Sequence, residues 1–114
     1  MYSQGVETIT HSTVLGRFGH ALSDPKRARI LLTLRDSPAY PSDLAQTLGI
    51  SRQSLSNNLA CLRGCGLVVA VPEGRRTRYE LADAKIGHAL ADLLAVVLTV
   101  DPEYCADAEV EGCC

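Results

Sequence analysis

The chain has 114 residues and a net charge of −2, enough for one domain with a modest core that a second copy would help to complete. Its longest apolar stretch, Leu93 to Val100, covers eight residues, far short of the roughly twenty that span a bilayer, and the first fifteen residues hold no continuous apolar run of the kind a secretory leader carries. The expectation is a cytoplasmic protein with no membrane partner.

Residues 1–9 are polar and unpatterned and read as a flexible N-terminal arm. From Ser12 to Leu22, the apolar positions Val14, Leu15, Phe18, Ala21 and Leu22 follow helical spacing. Ser23-Asp24-Pro25 is a cap with proline in the first turn, opening a second helix through Ile30, Leu31, Leu32 and Leu34; Asp36-Ser37-Pro38 closes it. Pro41 to Leu48 predicts a short helix with Leu44, Ala45 and Leu48 on one side. Gly49 supplies a tight turn, Ile50 packs inward, and Ser51 caps a helix whose inner face is Leu55, Leu59 and Leu62. Helix, glycine turn and capped helix make a helix-turn-helix.

After Gly66, Leu67 to Val71 and Thr77 to Leu81 predict two strands joined by a turn at Pro72-Glu73-Gly74-Arg75: a hairpin wing with arginines at its tip. Asp83 caps a last helix from Ala84 to about Val100, whose apolar residues occupy more than one face. One small core cannot cover them all, so the excess predicts a partner helix. The fold class is mainly α with a β-hairpin wing (α+β): a winged helix-turn-helix over residues 10–100, dimeric through its first and last helices, followed by an acidic, cysteine-containing tail over 101–114. No repeat or low-complexity segment interrupts it.

The overall charge hides an asymmetry. Between Pro25 and Arg78 there are nine basic and three acidic residues, a balance of +6, whereas from Asp101 onward there are five acids and no base. The centre suits a polyanion and the tail does not. In the predicted major-groove helix, Arg52 and Gln53 can donate to base edges, and Ser54, Ser56, Asn57 and Asn58 can reach bases or phosphates. On the wing, Arg75, Arg76 and Arg78 would meet phosphates or the minor groove.

Five cysteines are an odd number, which argues against a closed disulfide framework. In a reducing compartment clustered thiols more often bind metal or sense redox state. Cys61 and Cys65 stand at i and i+4 near the end of the predicted DNA helix, so both sulfurs share one face. Two soft ligands there, with no His or carboxylate pair nearby, favour thiophilic cations. His11, His20 and His88 have no partner at metal spacing and read as ordinary surface or packing residues. No histidine stands beside a cysteine by local spacing and no glycine-rich phosphate loop exists, so an enzyme is not expected.

Three stretches taken together, Asp43-Leu44-Ala45-x-x-Leu48-Gly49-Ile50-Ser51, Leu55-Ser56-Asn57-Asn58-Leu59-x-x-Leu62-Arg63-x-x-Gly66-Leu67-Val68 and Glu73-Gly74-Arg75-x-x-x-Tyr79-x-Leu81, resemble the ArsR/SmtB family of metal-sensing winged-helix repressors. The resemblance covers residues 14 to 100. It implies a homodimer that binds operator DNA when metal-free and lets go when metal binds. One family site places cysteines where this chain has Tyr40 and Ser42; another uses Asp and His pairs on the last helix, where this chain has only Asp83, His88 and Asp92. Both look absent. The Cys61–Cys65 pair is similar instead to the family's cadmium and lead sensors, which take two thiolates from the recognition helix and a third from the C-terminal segment. That likeness implies Cys105 as the third ligand, donated by the other subunit, and Cd(II) or Pb(II) as effector. Cys113 and Cys114 depart from the pattern and are possible auxiliary ligands. An arsenite sensor using the same sulfurs for As(III), and a thiol-redox repressor, are the rival readings.

Overall fold

The computed structural model describes residues 2–99, with side chains from 10 to 96. Five helices and one hairpin follow in the order α1 (Tyr2–Leu22), α2 (Pro25–Asp36), α3 (Pro41–Leu48), α4 (Arg52–Gly64), β1 (Val68–Glu73), β2 (Arg76–Leu81) and α5 (Ala84–Thr99). Two boundaries differ from the sequence expectation. Helix α1 starts at Tyr2 and runs through the segment read as an arm: residues 2–9 contain no proline, and extending an existing helix is far easier than starting one. Strand β1 continues through Pro72 to Glu73, which pairs with Arg76, so the wing turn is only Gly74-Arg75. Gly74 there has φ +62, a conformation that glycine adopts without a Cβ penalty.

Side chains close three helix starts and one helix end. Asp24 accepts the Lys26 N–H at 2.8 Å, Ser51 Oγ the Ser54 N–H at 3.0 Å, and Asp83 the Lys85 N–H at 2.8 Å, each satisfying a donor left open at a helix start. Arg27 finishes the other end of α1: its guanidinium donates to the carbonyls of Ala21 (3.1 Å) and His20 (2.8 Å). Gly49, at φ +66, ends α3 in the left-handed conformation.

The core gathers Ile30, Leu31 and Leu34 of α2, Leu44, Ala45 and Leu48 of α3, and Leu55, Leu59 and Leu62 of α4, joined by Ala21, Leu67, Val68 and Leu90. The expected inner faces of α2, α3 and α4 are therefore the ones buried. The hairpin is tied to this body by a bridge the sequence did not announce. Ala39 and Tyr79 exchange backbone hydrogen bonds of 3.0 and 2.8 Å, joining the loop before α3 to β2. Apolar side chains are left outside the core on α1 (Val14, Leu15) and α5 (Leu93, Val96). No described helix is long and apolar enough to cross a membrane.

Leu62 is wholly buried and sits in α4 between Cys61 and Cys65. Leu62→Ala is expected to lower the unfolding free energy by about 2–5 kcal/mol, measured as a reduced urea midpoint with an unchanged slope.

Candidate functional site

Helix α4 divides its labour along its length. With Leu55, Leu59 and Leu62 committed to the core, the polar residues of its first half are forced outward. Arg52, Gln53, Ser56 and Asn57 are exposed, and Gln53 Nε2 donates to Asn57 Oδ1 at 3.0 Å one turn later. Two residues placed by sequence on this face are turned elsewhere. Asn58 is buried at 9% exposure, its amide donating to the Ser54 carbonyl at 2.8 Å. Asn58 follows Leu55 by three residues and precedes Leu62 by four, so it shares their inner stripe. Ser54 is half-buried beside it, its backbone N–H held by the Ser51 cap.

The wing arginines also separate into roles. Arg78 is braced internally: Nη1 lies 2.7 Å from Glu73 and Nη2 3.7 Å from Glu80. Its charge is shared with two carboxylates of the hairpin, as the strand register dictates. Glu73 and Glu80 flank it on the hairpin, and opposite charges at that spacing attract. Arg75 and Arg76 are exposed and make no ion pair among the described residues. The Arg76 guanidinium lies 3.5 Å from the centroid of the Tyr40 ring. Tyr40 in turn donates from its hydroxyl to Glu73 Oε1 at 2.9 Å. That hydrogen bond, and after it desolvation, holds the Tyr40 phenol above its ordinary pKa. Sequence reasoning noticed Tyr40 only as a missing cysteine. No local pattern joins it to a glutamate 33 residues away.

At the far end of α4 stand Cys61 and Cys65, both reduced and half-buried. Cys65 caps the helix, its backbone N–H bonded to the Cys61 carbonyl at 3.0 Å. Gly66 then turns the chain at φ +78 toward β1. The two thiols are neighbours one helical turn apart, close enough for Cys61 to influence Cys65. Burial pushes the Cys65 thiol up from its ordinary pKa, and the charge and hydrogen bond of Cys61 add to the rise, against the opposing pull of Arg27 and Arg17. Cys65 also lines a groove of about 330 Å³ between α1 and α5, with Leu15, Phe18 and Ile86 on its walls and Arg17 and Lys85 at its rim. That Cys61 and Cys65 are neighbours is as the i, i+4 spacing predicts; the closeness of α1 to Cys65 is not.

Among the described residues, no three Cys, His, Asp or Glu side chains converge as metal ligands. The thiol pair supplies two soft donors, a fit to a thiophilic cation that draws further ligands from elsewhere. Cys105, Cys113 and Cys114 lie outside the described residues.

The sequence pattern described as "Bacterial regulatory protein, arsR family" matches residues 24–69. The chain is 53% identical over 97 residues to the HTH-type transcriptional regulator CmtR of Mycobacterium tuberculosis (strain ATCC 25618 / H37Rv), covering 85% of this chain and 82% of that protein. It is similar to the NMR structure of the cadmium metal-sensor CMTR from Mycobacterium tuberculosis, with TM-score 0.63 and 56% identity over 75% of this chain and 90% of that one. A homodimeric winged helix-turn-helix DNA-binding domain from Mycobacterium bovis superposes with TM-score 0.74 at 28% identity, over 79% and 83% of the two chains.

A thiol with a raised pKa is mostly protonated, and so slow to alkylate, at neutral pH. Iodoacetamide labelling of Cys65, followed by peptide mass spectrometry, is expected to accelerate about tenfold per pH unit from 7 to beyond the ordinary thiol range near 8.5. A rate that levels off below pH 8 would contradict the raised value.

Proposed function

We propose, from the premise that this chain belongs to the arsR family of bacterial DNA-binding transcriptional regulators, that it is a repressor whose hold on operator DNA ends when Cys61 and Cys65 capture a thiophilic cation. A metal-sensing repressor is what the kinship to a cadmium sensor supports, and Cd(II) is the first candidate effector, with Pb(II) the next. The single observation that carries the reading is the placement of two half-buried thiols one turn apart at the end of the helix that exposes Arg52, Gln53, Ser56 and Asn57 at its start.

DNA binding follows from the geometry of α4. Its exposed N-terminal residues enter the major groove, where Arg52 and Gln53 read base edges and Ser56 and Asn57 meet bases or phosphates. Arg75 and Arg76 extend the contact along the backbone, while Arg78 keeps the hairpin stiff. The exposed apolar residues of α1 and α5 pair with those of a second copy, giving a homodimer with two recognition helices roughly 34 Å apart. Such a protein works in the cytoplasm, where DNA and reduced thiols are found together.

Release is a matter of linkage. Both thiols must give up their protons to hold a soft cation, so the response weakens as pH falls. A third thiolate from Cys105, with Cys113 and Cys114 as auxiliary donors, would complete a three-sulfur site. Joining that segment to the end of α4 fixes the helix, and through Gly66 the wing, in a pose that no longer suits both half-sites. The cation then weakens DNA binding by the factor by which DNA weakens cation binding, typically about 1–3 kcal/mol.

Cys61→Ser should bind operator as tightly as the wild type and lose release by Cd(II), read by fluorescence anisotropy of a labelled duplex. Normal release from that variant would remove Cys61 from the site. Separately, Leu15→Glu combined with Leu93→Glu should shift the sedimenting species from dimer to monomer at micromolar concentration. If the double variant stays dimeric, the interface lies elsewhere.

A further inference from the structure

We infer that Tyr40 is the positioning residue of the wing: its ring is the platform that aims the Arg76 guanidinium at a backbone phosphate of bound DNA. The inference rests on the DNA-binding reading above and adds to it a residue outside both the recognition helix and the hairpin.

Tyr40 stands at the junction of wing and helix-turn-helix. It is the N-cap residue of α3, yet its side chain makes no capping hydrogen bond. The backbone on either side is anchored, Ala39 by its bridge to Tyr79 and the Tyr40 carbonyl by the Leu44 N–H at 3.0 Å. The phenol is instead spent on the wing, donating to one oxygen of Glu73 at 2.9 Å while the other oxygen of Glu73 holds Arg78 at 2.7 Å.

That arrangement decides what Arg76 can do. Glu73 is its direct partner across the ladder, yet no ion pair joins the two among the described residues. Each oxygen of Glu73 has a partner in Tyr40 or Arg78, and the Arg76 guanidinium carbon lies over the tyrosine ring, 3.5 Å from its centroid. A stacked guanidinium keeps the N–H donors in its plane open, and that fork matches a phosphate. Stacking also orders the side chain beforehand, so less freedom is lost when the phosphate arrives. Arg75, one residue earlier at the turn, has no such platform among the described residues.

The test is a double-mutant cycle on a duplex selected from a random library by the wild-type protein, with affinity measured across a salt series. Arg76→Gln is expected to weaken binding about 5–10-fold and to lower the log–log salt slope by about one. Tyr40→Leu should weaken binding about 3–5-fold, and the double variant should be no more than about twofold weaker than Arg76→Gln alone, because each change removes the same contact. Tyr40→Phe keeps the ring and should stay within about twofold of wild type. Circular dichroism melting guards against a folding defect in Tyr40→Leu, a defect that Arg76→Gln and Tyr40→Phe avoid. Additive losses, an unchanged salt slope in Arg76→Gln, or a Tyr40→Phe loss as large as that of Tyr40→Leu would each overturn the role of the ring. If the wild type selects no duplex, the DNA-binding reading itself fails, and this inference with it.

Discussion

The burial of one stripe of α4 is the constraint on which the rest depends. Leu55, Leu59 and Leu62 are locked against leucines of α2 and α3, and a helix with one face fixed has no freedom to choose its other face. The stripe therefore sets two outcomes together. It turns Arg52, Gln53, Ser56 and Asn57 to the outside at one end, and at the other it leaves Cys61 and Cys65 half-buried at the core's margin. Both ends belong to one helix, so the thiols and the exposed polar residues share a single element.

The tip of the wing is held by a different kind of force. Its base packs on the core through Val68, Tyr79 and Leu81, while its tip is braced by polar and aromatic contacts: the Tyr40 hydroxyl and the Arg78 guanidinium on Glu73, and Arg76 over the Tyr40 ring. These are exposed or half-exposed interactions, individually weak in water, but they share one carboxylate and one ring. The Ala39–Tyr79 bridge adds backbone hydrogen bonds at the same junction. The hairpin is thus an extension of the segment that leads into α3, as well as of the end of α4 through Gly66.

Helix α1 links the two functions of the outer surface. Arg17 and Phe18 stand at the groove that Cys65 lines, while Val14 and Leu15 of the same turns are left uncovered. A second copy seated on those apolar residues would lie close to the thiols. Exposed apolar side chains and the Cys65 thiol therefore meet on one side of the molecule.

Most of the fold was legible in the sequence because its signals are local. Asp24, Ser51 and Asp83 announce helix starts, Gly49 a left-handed turn, and the leucine spacing of α4 its inner face; each rests on contacts within a few residues. The thiol pair was legible for the same reason, since i and i+4 positions of a helix meet whatever surrounds them. Tertiary structure alone decided the rest. Asn58 looked like a DNA ligand by composition, but the packing of α4 turned it inward. That Arg78 sits between Glu73 and Glu80 was set by the register of the hairpin. Tyr40 carried no signal at all, because its partners lie across the sheet. Sequence fixes what periodicity and capping can specify over one or two turns; which charges stay free depends on distant chain segments meeting, and only the folded chain brings them together.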